Sequence, residues 1–398
     1  MTVADRDDDI TMALRACTRL GGEGAAEAVE RVGDAGRLGD LLDEAVRHRV
    51  VGLVSRVLPA IPRVDPEVYA TLERYAISQA AHQLRVLDDL REFARTMADA
   101  GIVWLTFKGP VVAQLLYVPP TARGYQDLDL LVPRGQFRRA IEALEASGAE
   151  VLDRNWTLIG RERRGQLHVR LRLGTIADAH WHLLNRQSVR ATFHVPMERV
   201  VARARSVDVA GVTVLTLDPV DTLVHLCLHA ALGGGDRLAW LADVERAIVI
   251  ERPPWDEVAA RAREWRSGAA TAAILRRTRD VLGAPVPESV LRRLDPSPIR
   301  RALGARLDRR WPPDAPHGAH SLSTIWPQVV RDGPADTAVA GVRRAARPAA
   351  NAIRRLRGEP GIEAHETSGA VLKPSGGDSA KREYLAWVAA APDAPRGP

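Results

Sequence analysis

The sequence is poor in cysteine: 398 residues contain two, Cys17 and Cys227, far apart in the chain. That excludes a disulfide scaffold and a zinc ribbon, and it points to a reducing compartment. No run of about 18 apolar residues occurs, so no segment is expected to span a membrane. The opening MTVADRDDD is too acidic for the positive flank of a signal peptide, and a soluble, cytoplasmic protein is expected. There is no internal repeat. No serine or cysteine sits on a nucleophile elbow, and Gly233-Gly234-Gly235 lacks the Gly-Lys-Ser/Thr ending of a phosphate loop, so it is read as a helix–helix turn. Lysine is also scarce. Three of the 56 basic residues are lysine, namely Lys108, Lys373 and Lys381. Lys108 is therefore the one lysine of the first 372 residues, either by chance or because a compact ammonium is needed there.

What is present is ordinary globular composition, with 46% hydrophobic and 27% charged residues, enough for two or three compact units. The net charge of +6 favours phosphate-bearing partners. Residues 1–100 read as a helical region from the spacing of Leu38, Leu41, Leu42 and Val46, and of Leu84, Val86, Leu87, Leu90, Phe93 and Met97. Residues 101–217 read as a small mixed sheet with helices packed on it. Strands are expected at Ile102–Phe107, Asp127–Val132, Gln166–Leu173 and Thr175–Leu183, with a last short pair around Gly211. Helices are expected at Pro110 to about Tyr117 and at Gln136–Ser147. Residues 218–330 return to helix, through Val220–Leu232, Leu238–Ile250 and Val258–Leu282. Residues 331–398 are rich in Pro, Gly, Ala and Arg and are expected to be a basic, mostly disordered tail. The fold class is therefore α+β, a sheet core flanked by N- and C-terminal helical regions.

Asp127 and Asp129 stand two apart in a strand, so both carboxylates lie on one face while Leu128, Leu130 and Val132 face the other. Paired carboxylates repel unless a cation joins them, and hard oxygen ligands suit Mg²⁺ or Mn²⁺. The plainer alternative is the solvent face of an amphipathic strand. Context favours the cation. Upstream, the strand–Lys108-Gly109–helix turn gathers backbone N–H groups where an anion would sit, and Arg123 adds a cation. Downstream, Asp178, His180 and His182 alternate on one strand face. If that strand adjoins the first, Asp178 completes an acidic triad fit for phosphoryl or nucleotidyl transfer.

The run L-T-F-K-G-P-V-V-A-Q-L-L-Y (Leu105 to Tyr117), Arg123, D-L-D-L-L-V (Asp127 to Val132), A-D-A-H-W-H (Ala177 to His182) and L-V-H-L-C-L-H-A-A…R-L-A-W-L-A-D-V (Leu223 to Val244) resembles the uncharacterised nucleotidyltransferase family of the polymerase-beta-like superfamily. The resemblance implies that Gly109 is the motif glycine of triphosphate binding, that Asp127, Asp129 and Asp178 bind the metals, and that an NTP such as ATP is the substrate. Pro110 stands where the superfamily has a serine, so Lys108 or Arg123 would have to replace a phosphate-contacting hydroxyl. His180, and less so His182, is a candidate for substrate contact or proton transfer.

His225 and His229 have metal-compatible spacing, but Leu226 stands where a metalloprotease would have glutamate, and core histidines are the expectation. Trp240 and Asp243 are expected to dock the helical region on the sheet; Trp104, Trp156 and Trp181 are expected to pack. The leading function is metal-dependent transfer of NMP from an NTP to a hydroxyl acceptor: a small molecule, a peptide or protein, or tRNA. The Arg343–Arg357 cluster supports RNA weakly. The alternatives are a non-catalytic nucleotide-sensing or scaffold protein and a γ-phosphate phosphotransferase.

Overall fold

The computed structural model describes residues 3–60, 65–314, 322–356 and 370–390. Two compact units emerge. One gathers Met1–Gln83, Val112–Tyr125 and Pro219–Asp336; the other gathers Leu84–Val111, Gln126–Asp218 and Thr337–Pro398.

The first unit is helical. Its long buried helix Pro219–Gly233 carries Leu223, Val224, Cys227 and Leu228 in the interior. The stretch expected as one helix from Val258 to Leu282 is two, Trp255–Glu264 and Gly268–Leu282. They are separated at Arg266, whose φ of 53° cannot continue a right-handed helix. The glycine run is a fixed turn: Arg277 donates from Nη1 to the Gly234 carbonyl at 2.6 Å and to that of Gly235 at 3.3 Å. His225 and His229 stack with centroids 6.2 Å apart, and Trp240 meets His229 edge-on at 5.9 Å.

The second unit holds a seven-stranded mixed sheet made of β1 (Leu105–Thr106), β2 (Asp127–Leu131), β3 (Glu150–Val151), β4 (Gln166–Arg170), β5 (Ile176–His180), β6 (Arg205–Val209) and β7 (Val212–Thr216), in the order β3-β4-β5-β2-β1-β7-β6. The pairs β2–β5 and β1–β7 are parallel; the rest are antiparallel. The α+β architecture expected from sequence is what the chain adopts. β1 is shorter than its six-residue apolar run, because only Leu105 and Thr106 find strand partners. The helix Arg134–Ala146 buries Phe137, Ala140, Ile141 and Leu144. Trp104, Trp156 and Trp181 are all buried packing residues.

The tail differs from the disorder expected of it. Pro334–Leu356 and Gly377–Ala390 are helices. The second buries Tyr384, Leu385 and Val388 in the sheet-bearing unit. There the Tyr384 hydroxyl donates to the Arg164 carbonyl (2.7 Å) and accepts from Trp181 Nε1 (3.0 Å). Average composition over 331–398 hid this local cluster of large side chains. Residues 357–369 and 391–398 lie outside the described residues, as do the side chains of Arg347, Arg354 and Arg355; Arg343 is exposed on the first helix. Among the described residues, no helix is long and apolar enough to cross a membrane.

Candidate functional site

Strand alternation builds the site. In the parallel β2–β5 ladder Asp129 is the register partner of Asp178 and Leu131 that of His180. In the antiparallel β4–β5 ladder His168 faces Asp178 and Gln166 faces His180. One sheet face thus presents Asp127 and Asp129, Asp178 and His180, and Gln166 and His168. The opposite face sends Leu128, Leu130, Leu167, Val169, Ala177 and Ala179 into the core. Core burial of that face fixes the register, because a one-residue slip would bury the acids.

One donor atom each from Asp129, Asp178 and His180 lies within 4.8 Å of the others, a spacing that could hold a metal ion. Asp129 and His180 are buried. His180 Nε2 is 3.3 Å from Asp129 Oδ1, and it has no hydrogen-bond partner. A buried polar nitrogen left without one costs free energy unless something else meets it. Two carboxylates and an imidazole are an acceptable donor set for a divalent ion, so the residues fit the metal that the sequence implied.

Asp127 is not among the converging donors. It sits exposed at the start of β2, on the same face as Asp129. The surrounding protein mass, then the charges of Asp129 and Asp178, lift its carboxyl to about 6. Burial, helped by the charge of Asp129, raises Asp178 against the opposing pull of the neighbouring His168 and Lys108. Lys108 answers part of this charge: its Nζ lies 3.2 Å from Asp129 Oδ1. Gly109 follows with φ +55°, a left-handed turn that favours glycine, before the seven-residue helix Pro110–Leu116. Lys108, Gly109, Asp129, Asp178 and His180 therefore belong to one unit, and all but the glycine to one polar cluster.

Arg123 has an ion-pair partner of its own. Within the helical unit it forms a two-pronged pair with Asp243, Nε to Oδ1 and Nη2 to Oδ2 both at 2.8 Å, and the Tyr117 hydroxyl donates to Asp243 Oδ1 at 2.7 Å. The expected phosphate ligand is thus engaged in an ion pair, and Asp243 ties the 112–125 segment into its own unit. His182 is a loop cap: its Nδ1 accepts from the Leu184 N–H at 2.9 Å, and complete burial holds its pKa well below the usual value.

Sequence reasoning missed the supports of Asp178. Gln166 Nε2 donates to Asp178 Oδ2 at 3.0 Å, and His168 Nε2 lies 3.6 Å from Oδ1. His168 Nδ1 is 2.9 Å from the buried Asp153 Oδ1, while Asp153 Oδ2 accepts the His168 backbone N–H at 3.0 Å. Burial alone would lower the His168 pKa; the hydrogen bond and charge of Asp153, with the charge of Asp178, outweigh it and raise the value. The hairpin between β4 and β5 was the available signal, since antiparallel pairing sets residues on β4 against Asp178.

No curated protein and no solved structure gives a significant match to the chain. The family model described as "uncharacterised nucleotidyltransferase" matches residues 35–283, a span that includes all seven strands and the whole carboxylate cluster. With more than half of the chain matched, this protein belongs to the uncharacterised nucleotidyltransferase family.

Proposed function

We propose that the chain is a metal-dependent enzyme that transfers a nucleoside monophosphate from an NTP to a hydroxyl acceptor. The observation that carries the reading is the Asp129–Asp178 register pair on adjacent parallel strands, with Lys108 at Asp129 and Asp127 two residues away on the same face. Three carboxylates against one ammonium leave an excess of negative charge that a fold does not collect without use for it. A divalent cation bound there would screen the triphosphate and acidify the acceptor hydroxyl.

The chain's own residues do the rest. Asp127, Asp129 and Asp178 bring the cation-bearing triphosphate to the sheet face. Lys108 and the Gly109 turn receive its phosphates. Lys108 supplies a point charge at the position where the superfamily's serine is replaced by Pro110. Asp178 is fixed by Gln166 and His168 and accepts the proton of the acceptor hydroxyl. The acceptor oxygen then bonds to the α-phosphorus as the α–β P–O bond breaks and pyrophosphate leaves.

The test is incubation with α-³²P-labelled NTPs and Mg²⁺ or Mn²⁺, with RNA, protein and small-molecule pools as acceptors, comparing the wild type with Asp127→Ala/Asp129→Ala. Label transferred by the wild type alone establishes the activity and names the acceptor pool. Label transferred from the γ- and not the α-phosphate refutes nucleotidyl transfer in favour of phosphotransfer. Metal-dependent NTP binding with no transfer refutes it in favour of nucleotide sensing.

A further inference from the structure

We infer that His180 is a direct metal ligand, and that the site consequently selects a first-row divalent transition metal such as Mn²⁺ or Co²⁺ over Mg²⁺. The inference deepens the nucleotidyl-transfer reading and rests on it for the metal's purpose, but not for the ligation itself.

The argument begins with the ring's two nitrogens. Nδ1 lies 3.4 Å from the backbone carbonyl of His182, an atom that can only accept. The tautomer that suits this carbonyl carries its proton on Nδ1, and in that tautomer the lone pair stands on Nε2. A metal-bound histidine characteristically donates its other N–H in this way, which fixes both tautomer and ring orientation. Phe107 adds a mechanical constraint, meeting the imidazole edge-on at a centroid distance of 5.2 Å.

Nε2 then faces carboxylates. It is 3.3 Å from Asp129 Oδ1, close enough for a hydrogen bond, yet it makes none. The residue is 4% exposed, so water does not meet this nitrogen freely. A buried lone pair beside an anionic oxygen is repulsive unless a cation lies between them. The separation is also the one that such a cation would impose: ligands about 2.1 Å from a common ion and adjacent in its shell stand about 3.0–3.4 Å apart. Asp178 brings the third donor within the same 4.8 Å group. Lys108 is a donor that could meet a lone pair, but its ammonium is turned to Asp129 Oδ1 at 3.2 Å and makes no hydrogen bond to Nε2.

Ligand type decides the metal. Mg²⁺ takes oxygen donors and water in near-octahedral order, whereas an imidazole nitrogen favours transition metals. An all-carboxylate site would be indifferent to His180. A site that includes it loses transition-metal affinity when the ring is removed, and loses little affinity for Mg²⁺.

The experiment uses the full chain and reads binding, not turnover. Mn²⁺, Co²⁺ and Mg²⁺ are titrated into metal-free wild type, His180→Ala and His180→Asp, and electron spin-echo envelope modulation is recorded on Mn²⁺-loaded wild type. Expected are a ¹⁴N modulation from a directly bound nitrogen, a loss of roughly tenfold or more in Mn²⁺ and Co²⁺ affinity in His180→Ala, and a shift of preference toward Mg²⁺ in His180→Asp. Absence of the ¹⁴N signal from bound Mn²⁺, or no metal binding at all, overturns the inference without reliance on any variant's folding. Metal bound with the ¹⁴N signal but no α-³²P transfer would support His180 ligation while removing the nucleotidyl-transfer reading. Transfer intact in His180→Ala with unchanged metal affinities would do the reverse.

Discussion

The Arg123–Asp243 pair offers a decisive perturbation, because the two roles open to Arg123 predict opposite results. The side chains are 15% and 5% exposed, the pairing is two-pronged, and Tyr117 adds a third bond to Asp243. Removing one partner of a buried ion pair costs about 3–5 kcal/mol, since the other charge stays desolvated. Arg123→Met leaves Asp243 its Tyr117 bond and is expected at the low end, about 3 kcal/mol. Asp243→Asn turns an amide donor toward a guanidinium and is expected at the high end. A unit of this size loses about 2–4 °C of Tm per kcal/mol, so Arg123→Met should melt about 6–12 °C lower. Thermal unfolding of both single variants and the double variant closes a mutant cycle, and a coupling of about 2 kcal/mol or more is expected for groups in direct contact. If Arg123→Met melts within about 2 °C of wild type while NTP binding collapses, the structural assignment fails and Arg123 is a phosphate ligand.

Other outcomes follow from the same structure. Gln166→Ala, which strips Asp178 of its 3.0 Å donor, should weaken Mn²⁺ binding by about tenfold with little change in Tm, read by titration of free Mn²⁺; an unaltered affinity would separate Asp178 from the metal. His182 is held neutral by burial, with its pKa far below the ordinary 6.5. It binds a proton on unfolding, so its contribution to stability is present above 6.5 and is lost as pH falls below that value. His182→Asn keeps an acceptor for Leu184 N–H without a titrating ring, and it should flatten the fall in Tm between pH 7 and 5.5. Tyr384→Phe should cost about 1–3 kcal/mol, because the Arg164 carbonyl and Trp181 Nε1 both lose the hydroxyl, although they keep each other at 2.9 Å. Faster proteolytic loss of the C-terminal helix is the readout.

The parts of the molecule legible in the sequence are those governed by short periods. Asp127, Asp129 and Asp178 could be placed on faces because strand alternation is strict, and the apolar residues between them had only the core to enter. The pairing of Asp129 with Asp178 required one assumption, that the two strands adjoin, and the parallel register supplies it. His180 was assigned to the same face by the same rule. Its role as a donor depends on where a carbonyl two residues later comes to lie, which period-two reasoning does not give.

Register explains why the supports of Asp178 were not found. Strands expected at Gln166–Leu173 and Thr175–Leu183 imply a turn centred on Gly174, which would set Arg170 against Asp178. The actual turn has Leu171 N–H bonded to the Thr175 carbonyl and is centred on Leu173, so His168 stands opposite instead. A shift of one residue in a turn centre moves the partner by two, enough to exchange a surface arginine for the histidine that Asp153 holds in place. Arg123 and the C-terminal helix share a different cause. Asp243 lies 120 residues from Arg123, and Tyr384 lies 220 from the carbonyl it bonds. Chain separation of that order carries no periodic signal, so neither the carboxylate that pairs with Arg123 nor the partner of Tyr384 could be read from spacing. Lys108 differs in that its partner, Asp129, is itself one of the three converging donors, so its ion pair lies within the cluster.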